Sequence, residues 1–527
     1  MFCYQCEQTT RGTGCVKFGV CGKTAETADL QDVLVHATKR LATRVAPLAA
    51  ADRPAEIAPL LETALFATLT NVNFDDAAIL ALIRRVIAAI GPEAGVAADA
   101  DRSALLAFAA QSGIEARTAR FGADVVGLQE LLLYGLKGVA AYAHHARRMD
   151  RADPAVDAFT VEALARLDAG ESEIAALLGL NLACGEASVK VLALLDAAHG
   201  DTFGKPTPTP VRIGHVPGKA ILVSGHDLVD LKALLEQTEG TGIRVYTHGE
   251  MLPAHGYPEL KKHAHLAGHF GGAWMRQQKE FATFPGPIVM TTNCLQDPDS
   301  SYADRLFTRD VVGWPGIAHL DGSDFSAVVA AALAAPGFAD EVTHATHLVG
   351  FGHDAVLGVA GTVVDAVKSG AIKHFALIGG CDGSEGERSY YTDLATAMPA
   401  DWMILTLGCG KFRLLGHDYG TVAGLPRLLD MGQCNDAFSA VKVAQALAGA
   451  FDCGINDLPL SLTLSWFEQK AVCVLLALLH LGVKNIRIGP KLPAFLTPTV
   501  LGVLVETFGL KPIGTVEDDI RAMATAA

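Results

Sequence analysis

The sequence lacks the features that mark membrane-spanning, exported and nucleic-acid-binding proteins. Its longest apolar stretch, residues 471–483, falls short of the roughly 20 residues that cross a bilayer, and His480 interrupts it. Residues 1–6 show no basic region leading into an apolar segment, as an export signal would have. No long Lys/Arg run occurs, and the formal net charge of −15 argues against a polyanionic partner. We therefore expect a cytoplasmic protein that binds neither membrane nor nucleic acid.

The sequence also lacks the even number of cysteines that a full set of disulfide bonds would need. The chain has 11 cysteines in 527 residues. Disulfide frameworks are typical of short exported chains with an even number of cysteines, so this count and length argue against one. Metal binding is the leading explanation for most of these cysteines.

Length and local composition predict about three domains. A chain of 527 residues is too long for one hydrophobic core. Residues 27–200 are rich in Ala and Leu with helical periodicity, and three prolines within residues 203–210 break that pattern. We place an N-terminal domain at residues 1–210, with a cysteine-bearing loop followed by a helical bundle.

Beyond residue 210, short apolar runs alternate with glycines and amphipathic helices, which predicts βα alternation. Residues 222–227 and 348–354 both show an apolar run followed by Gly-His-Asp, so we expect a second α/β domain to start near Thr346. The predicted fold is therefore a helical bundle followed by two doubly wound, Rossmann-like α/β domains at 211–345 and 346–527. The predicted buried strands are 220–223, 243–246, 287–291, 375–378, 403–406, 460–464 and 485–488.

Four cysteines lie within the first 21 residues, as Cys3-x2-Cys6-x8-Cys15-x5-Cys21. The glycines between them allow the chain to fold back, so that four thiolates can converge on one centre, as an iron–sulfur cubane requires. A four-cysteine zinc site is the alternative, although zinc knuckles favour two C-x2-C pairs.

A second, dispersed set of cysteines follows predicted strands. Cys294, Cys381 and Cys409 come directly after strands, and Cys434 opens a helix, where backbone N–H groups stabilise a thiolate. Carboxyl ends of strands in open α/β sheets face the functional crevice. Because four cysteines occupy similar positions, we interpret them as metal ligands and not as buried core residues. For the remaining cysteines, the core interpretation stands: Cys184, Cys453 and Cys473.

Harder ligands occupy further predicted strand ends. His226 and Glu250 follow strands of the first α/β domain, and Glu468 follows one of the second. Thiolates suit iron held with sulfide, whereas imidazole and carboxylate suit iron that binds oxygen or nitrogen. Spacing does not single out His226 among the histidines near such positions, and its rivals are His248, His255 and His353.

These motifs carry a resemblance that covers essentially the whole chain. The sequence resembles the hybrid cluster proteins, also called hydroxylamine reductases, and its N-terminal cysteine spacing is of the shorter kind in that family. The resembling segments are residues 3–21, 224–228 (SGHDL), 247–255 (THGEMLPAH), 292–294 (TNC), 379–383 (GGCDG), 408–410 (GCG), 432–436 (GQCND) and 466–470 (WFEQK).

The resemblance implies two metal centres. The N-terminal cysteines would hold a [4Fe-4S] cluster that relays electrons, and a hybrid [4Fe-2O-2S] cluster would carry out the reaction. It implies that Cys381 is persulfidated and that Lys470 lies beside the hybrid cluster. The implied ligands of the hybrid cluster are His226, Glu250, Cys294, Cys381, Cys409, Cys434 and Glu468.

The implied activity is reductive N–O chemistry, in which hydroxylamine is reduced to ammonia and water. Reduction of nitric oxide to nitrous oxide is the implied alternative, and either reaction would act under nitrosative stress. Glu468 and Lys470 are the candidate catalytic residues, and Lys470 is either a proton donor or a charge partner of Glu468. No Gly-x-Gly-x-x-Gly dinucleotide motif follows a strand, so a separate reductase or ferredoxin-like protein is expected to supply electrons.

Two other functions remain open at the level of the sequence. A carbon monoxide dehydrogenase-like enzyme would need nickel, and the chain has a single N-terminal four-cysteine run, fewer than the extra clusters of such enzymes require. A non-enzymatic nitric-oxide or redox sensor, or a protein nitrosylase, has no use for the His and Glu positions of a mixed cluster.

Overall fold

The computed structural model describes residues 1–525, and residues 526 and 527, at the end of the third predicted domain, lie outside it. The N-terminal part is helical. Its α-helices are α1 (Ala25–Val45), α2 (Ile57–Ala67), α3 (Asp76–Ile90), α4 (Arg102–Ala109), α5 (Ile114–Phe121), α6 (Ala123–Arg147), α7 (Pro154–Asp168) and α8 (Ile174–Phe203).

Local sequence explains where several of these helices begin. The Thr24 hydroxyl accepts the backbone N–H of Thr27 at 3.1 Å at the start of α1. The Asp75 carboxylate accepts the N–H of Ala77 at 2.8 Å at the start of α3. Side-chain acceptors of this kind satisfy N–H groups that have no partner in the first helical turn.

The middle of the chain forms the first sheet and its helices. The strands are β1 (Thr209–His215), β2 (Ala220–Ser224), β3 (Arg244–Thr247), β4 (Leu266–His269), β5 (Ile288–Met290), β6 (Leu306–Arg309), β7 (Ala318–Leu320) and β8 (Val342–Val349). The helices are α9 (Leu228–Thr238), α10 (Pro258–Lys261), α11 (Gln277–Thr283) and α12 (Ser326–Ala334). The strand order is β7-β6-β5-β2-β3-β4-β1-β8, and only the β1–β8 pair is antiparallel.

The last part of the chain forms the second sheet. Its strands are β9 (His374–Gly380), β10 (Trp402–Leu407), β13 (Leu428–Asp430), β14 (Leu460–Ser465), β15 (Arg487–Gly489) and β16 (Lys511–Pro512), with the hairpin β11 (Thr421–Val422) and β12 (Leu425–Pro426) beside it. The order is β13-β10-β9-β14-β15-β16, and every pair is parallel. The helices are α13 (His353–Leu357), α14 (Ala360–Lys368), α15 (Ser389–Ala397), α16 (Phe438–Phe451), α17 (Gln469–His480), α18 (Pro498–Phe508) and α19 (Val516–Thr525).

The predicted class, a helical region followed by two parallel α/β sheets, is confirmed. Each of the predicted strands lies in a sheet, and the strands that were not predicted are β1, β4, β6, β7, β11, β12, β13 and β16. β8 differs most from expectation: the segment expected to open the second α/β domain pairs antiparallel with β1 and closes the first sheet. The boundary proposed between residues 345 and 346 therefore falls inside a strand, because the Gly-His-Asp similarity does not report on strand partners.

The helical region and the second sheet share one hydrophobic core. The shared element is α17, which packs against α6 and α8. Glycines permit this close approach: a Cβ added at Gly185 of α8 would lie 2.3 Å from the carbonyl oxygen of Leu476 in α17. The predicted domains at residues 1–210 and 346–527 therefore share part of their hydrophobic core.

One helix in the described part of the chain, α8, is long and apolar enough by length and composition to span a membrane. Half of its most apolar window is buried. Its contacts with α6 and α17 account for the apolar composition, as in a core helix.

We expect Gly185→Ala to destabilise the protein by about 1–3 kcal/mol, since the new methyl group must displace the backbone of α17. Gly179→Ala in the same helix is the matched control, because its added Cβ meets no atom within 4 Å. That control should gain up to about 1 kcal/mol from helix propensity. Thermal denaturation of the two variants measures the difference, and equal midpoints would contradict the packing of α17 on α8.

Candidate metal centres

In both sheets, the carboxyl ends of the parallel strands face one buried cavity. β5, β2 and β3 are neighbours in the first sheet, and β13, β10, β9 and β14 are neighbours in the second. The side chains that follow these strands therefore converge. The cavity is lined by all seven predicted residues of the second set: His226, Glu250, Cys294, Cys381, Cys409, Cys434 and Glu468.

Glycines allow the strand ends of the second sheet to approach each other. Gly380, just before Cys381, has φ +112, and an added Cβ would lie 2.1 Å from the Ser465 carbonyl oxygen. Gly408, just before Cys409, has φ +73, and an added Cβ would lie 2.4 Å from the Gly380 carbonyl oxygen. Side chains at these positions would push the cysteines apart, so glycine is required at both.

His226, Glu250 and Cys434 form the tightest group. Their potential ligand atoms all lie within 4.8 Å of one another. His226 Nε2 is 3.8 Å from Glu250 Oε2, which also accepts the backbone N–H of Cys434 at 2.9 Å. Residues from both sheets thus form one cluster of potential metal ligands.

Hydrogen bonds fix the loops that carry these residues. The Gln433 amide donates to the backbone oxygens of His226 at 3.2 Å and of Glu250 at 2.6 Å, which ties the two sheets together. The buried Lys411 ammonium donates to Asp430 Oδ1 at 2.5 Å and to the Gly432 carbonyl at 2.7 Å. The second pair joins the loop after Cys409 to the loop before Cys434.

Glu468 and Lys470 lie at the start of α17. The Glu468 carboxylate accepts the backbone N–H of Lys470 at 2.7 Å, so it caps the helix. The buried Lys470 ammonium lies 3.4 Å from Asn293 Oδ1, and Asn293 Nδ2 lies 3.6 Å from Cys294 Sγ. Lys470 therefore brings a positive charge next to the cavity.

Burial favours the protonated forms of the acidic groups that line the cavity. It raises the pKa of the Cys381 thiol to about 12 and raises the pKa of the Cys434 thiol well above its usual value. It also raises the pKa of the Glu250 and Glu468 carboxyl groups. Low polarity disfavours the charged forms of these acids, so a cation in the cavity would restore thiolate and carboxylate.

The residues fit a cluster of cations with mixed ligands. Glu250 Oε1 and His226 Nδ1 are buried without a hydrogen-bond partner among residues 1–525. Buried polar atoms normally have partners, so these two point to a missing ligand. Four sulfur donors beside two carboxylates and an imidazole suit iron bridged by both sulfide and oxygen.

The rival histidines point elsewhere. His248 Nδ1 lies 2.9 Å from the Ser224 hydroxyl and its Nε2 lies 2.9 Å from Glu280. His255 Nε2 lies 2.9 Å from the Thr247 hydroxyl. His353 contacts Ser439, Asp196 and Asp354 outside the cavity. Among the four histidines, only His226 lines the cavity.

Four side chains of the cavity were not predicted. Thr70 and Asn71 come from the loop after α2, and the rings of Trp274 and Phe467 pack at an interplanar angle of 52° with centroids 4.7 Å apart. Phe467 lay within a motif that the sequence analysis singled out for its neighbour Glu468. The loop after α2 offered no signal, because its position over the cavity depends on long-range packing.

The four N-terminal cysteines also lie close together. Cys3 and Cys15 exchange backbone hydrogen bonds of 3.1 and 2.8 Å. Burial raises the pKa of the Cys6 thiol, and the charges of Cys21, Cys3 and Cys15 raise it further. Four thiols this close suit a metal cluster, since repulsion between thiolates needs compensating cations.

Hydrogen bonds join the two centres. The backbone N–H of Glu7, next to Cys6, donates to the Phe467 carbonyl at 3.0 Å. The Gln469 amide donates to the Gln5 carbonyl at 2.6 Å. The segment that carries Glu468 is thus held directly against the N-terminal loop.

A protein-family model described as the Prismane/CO dehydrogenase family matches residues 1–521. The chain belongs to the Prismane/CO dehydrogenase family. Membership of this family supports iron–sulfur clusters in the protein.

Individual proteins are also similar to this chain over its full length. The chain is 56% identical to a hydroxylamine reductase of Rhodospirillum rubrum, over 100% of both chains. It is also 56% identical to a hydroxylamine reductase of Zymomonas mobilis, over 100% of this chain and 99% of the relative. The resemblance inferred from motifs is therefore confirmed over the whole length.

The fold also matches a more distant solved structure. Carbon monoxide dehydrogenase IV of Carboxydothermus hydrogenoformans superposes with a TM-score of 0.59 at 15% identity, covering 99% of this chain and 92% of that one. This superposition shows that the two proteins share a fold.

We expect Cys434→Ala to lower the iron and acid-labile sulfide content per chain, because it removes a thiol from the cavity. Cys453→Ala is the matched control, since this half-buried thiol lies outside both sites. The measurement is metal and sulfide analysis of anaerobically purified protein. Equal iron content in the two variants would contradict a metal centre at the cavity.

Proposed function

We propose that this protein is a hydroxylamine reductase, which reduces hydroxylamine to ammonia and water with two electrons and two protons. The observation that carries the proposal is the buried set of four thiols, two carboxyls and one imidazole at the meeting point of the sheets. Hydroxylamine reductases with 56% identity over the full length support it. Reduction of nitric oxide to nitrous oxide is a second reaction that the same small cavity admits.

We further propose the ligand sets of the two clusters. Cys3, Cys6, Cys15 and Cys21 would hold a [4Fe-4S] cluster. The hybrid cluster would be held by His226, Glu250, Cys294, Cys381 as a persulfide, Cys409, Cys434 and Glu468. When bound, these groups would supply electrons and iron positions open to a nitrogen or oxygen ligand.

The chain itself contributes an enclosed site and a fixed charge. Trp274 and Phe467 line the cavity with large buried rings, and apolar surface of this kind disfavours water. The Lys470 ammonium offsets the negative charge of nearby thiolates and carboxylates. The ammonium also lies 3.4 Å from Asn293 Oδ1. We propose the charge-partner role because Cys434, Glu468 and Cys294 act electrostatically on the buried Lys470 and raise its pKa, and the proton-donor role stays a prediction.

The partners follow from the same proposal. A small nitrogenous substrate enters the cavity, and a separate reductase or ferredoxin-like protein in the cytoplasm supplies electrons.

Steady-state turnover tests the function. With dithionite-reduced methyl viologen as electron donor, we expect hydroxylamine to be consumed and ammonia to form in equal amounts. Spectral changes on adding hydroxylamine or nitric oxide without turnover would favour the sensor or nitrosylase. Stoichiometric nickel in the purified protein, with oxidation of carbon monoxide, would favour a carbon monoxide dehydrogenase-like enzyme instead.

Cys381→Ala tests the division between the two centres. We expect the electron paramagnetic resonance signal of the N-terminal cluster to persist while the hybrid-cluster signal and turnover are lost, because Cys381 lines only the cavity. Cys453→Ala should keep both signals. Loss of both signals in Cys381→Ala would show that the substitution disrupts the whole structure and would contradict independent centres.

A further inference from the structure

Three exposed apolar side chains lie within one short loop between cysteines of the N-terminal site. Val16, Phe18 and Val20 are 60%, 56% and 55% exposed, and they alternate between Cys15 and Cys21. Single exposed apolar residues are common on protein surfaces, whereas a contiguous group with a polar rim marks an interaction site. We call Val16, Phe18 and Val20 the apolar loop.

The apolar loop has a fixed backbone. Cys15, at its start, is hydrogen-bonded to Cys3, and Gly19 donates its N–H to the Lys23 carbonyl at 2.8 Å. The Gly22 N–H donates to the Gly19 carbonyl at 2.9 Å and closes the turn. These bonds keep the alternating side chains exposed, so the surface is already ordered before a partner binds, which lowers the entropic cost of docking.

The chain segment that contains the apolar loop carries charge of the opposite sign to that of the whole chain. Residues 8–22 contain Arg11 and Lys17 and no acidic residue, whereas the whole chain has a formal net charge of −15. Neither Arg11 nor Lys17 forms an ion pair with any residue between 1 and 525. A small apolar centre with a basic rim is complementary to an acidic protein partner.

We propose that the apolar loop, with Arg11 and Lys17, is the docking surface for a small acidic one-electron carrier protein. The inference rests on the proposed function, since it assumes a cluster held by the cysteines on either side of the loop. In the step, one electron passes from the reduced carrier to the N-terminal cluster, and the carrier leaves oxidised with no bond formed or broken.

A second copy of this chain fits the apolar loop less well. A symmetric dimer through this surface would bring Arg11 and Lys17 of one copy towards the same residues of the other. Like charges at such an interface repel, whereas an acidic carrier pairs with them.

The kinetic test measures reduction of the N-terminal cluster, not turnover. Holo-protein is mixed anaerobically with a reduced acidic ferredoxin in a stopped-flow spectrophotometer, and bleaching of the cluster absorbance gives the second-order rate constant. We expect Phe18→Ser to lower this constant about tenfold, the loss expected for a central aromatic contact. Lys17→Glu should lower it most at low salt, where charges are least screened.

Two controls isolate docking. Leu333→Ser removes another apolar side chain, 49% exposed on α12, and should leave the rate unchanged. Reduced methyl viologen, which needs no docking surface, should reduce wild type and Phe18→Ser at the same rate. Affinity for immobilised oxidised ferredoxin, measured by biolayer interferometry, should fall in Phe18→Ser by the same factor as the rate.

Four results would overturn the proposal. The first is that reduced ferredoxin fails to reduce the wild-type cluster, and the second is that Phe18→Ser leaves the rate of reduction by ferredoxin unchanged. The third is that Phe18→Ser lowers the rate of reduction by viologen as much as the rate with ferredoxin. The fourth is that the wild type sediments as a dimer and Phe18→Ser as a monomer. The last would assign the surface to a second copy of the chain. Absence of hydroxylamine turnover with viologen, together with normal cluster reduction by ferredoxin, would reject the proposed function and leave the docking surface standing.

Discussion

Six acidic side chains lie beside one imidazole in the interior of this protein, and the rest of the structure is arranged to keep them there. Moving that many ionisable groups out of water is costly unless they stay neutral or share cations. Burial raises the pKa of the Cys381 thiol and of the Glu250 carboxyl group, which favours their neutral forms. The mixture of soft and hard donors suits the second option, shared cations.

Two parallel sheets are well suited to this constraint. Each βα connection ends a strand at the same edge, so ligands far apart in sequence reach one place without long loops. The Gln433 amide then locks the edges together through the backbone of His226 and Glu250. The cavity is therefore defined by backbone geometry, and its side chains need few further supports.

The N-terminal loop is held to the same edge by buried contacts. The fully buried Arg388 guanidinium donates to Glu7 Oε2 at 3.1 Å and to the Trp466 carbonyl at 3.0 Å. It also reaches the Cys381 carbonyl at 3.4 Å. A buried charge pair of this kind is expensive to break, so the spacing of the two candidate centres is fixed by the fold.

Much of the candidate site was accessible from sequence because strand ends can be recognised locally. Cys294, Cys381 and Cys409 follow apolar runs that are strands, and those runs alone predict a common edge. Residue spacing did not select His226 over His248, whereas the family resemblance did, and in the structure Ser224 and Glu280 contact the ring of His248. The role of β8 was also hidden, because the sequence of a strand does not state whether its neighbour is parallel or antiparallel.

The order of elements along the chain has a consequence for biosynthesis. α17 fills the space beside α6 and α8, yet it is among the last helices to leave the ribosome. The N-terminal bundle therefore stays incomplete until nearly all of the chain has been translated, and Glu468 reaches the cavity at the same moment. The cavity is therefore complete only when translation is nearly finished, and a truncated chain would expose the bundle surface that chaperones and proteases recognise.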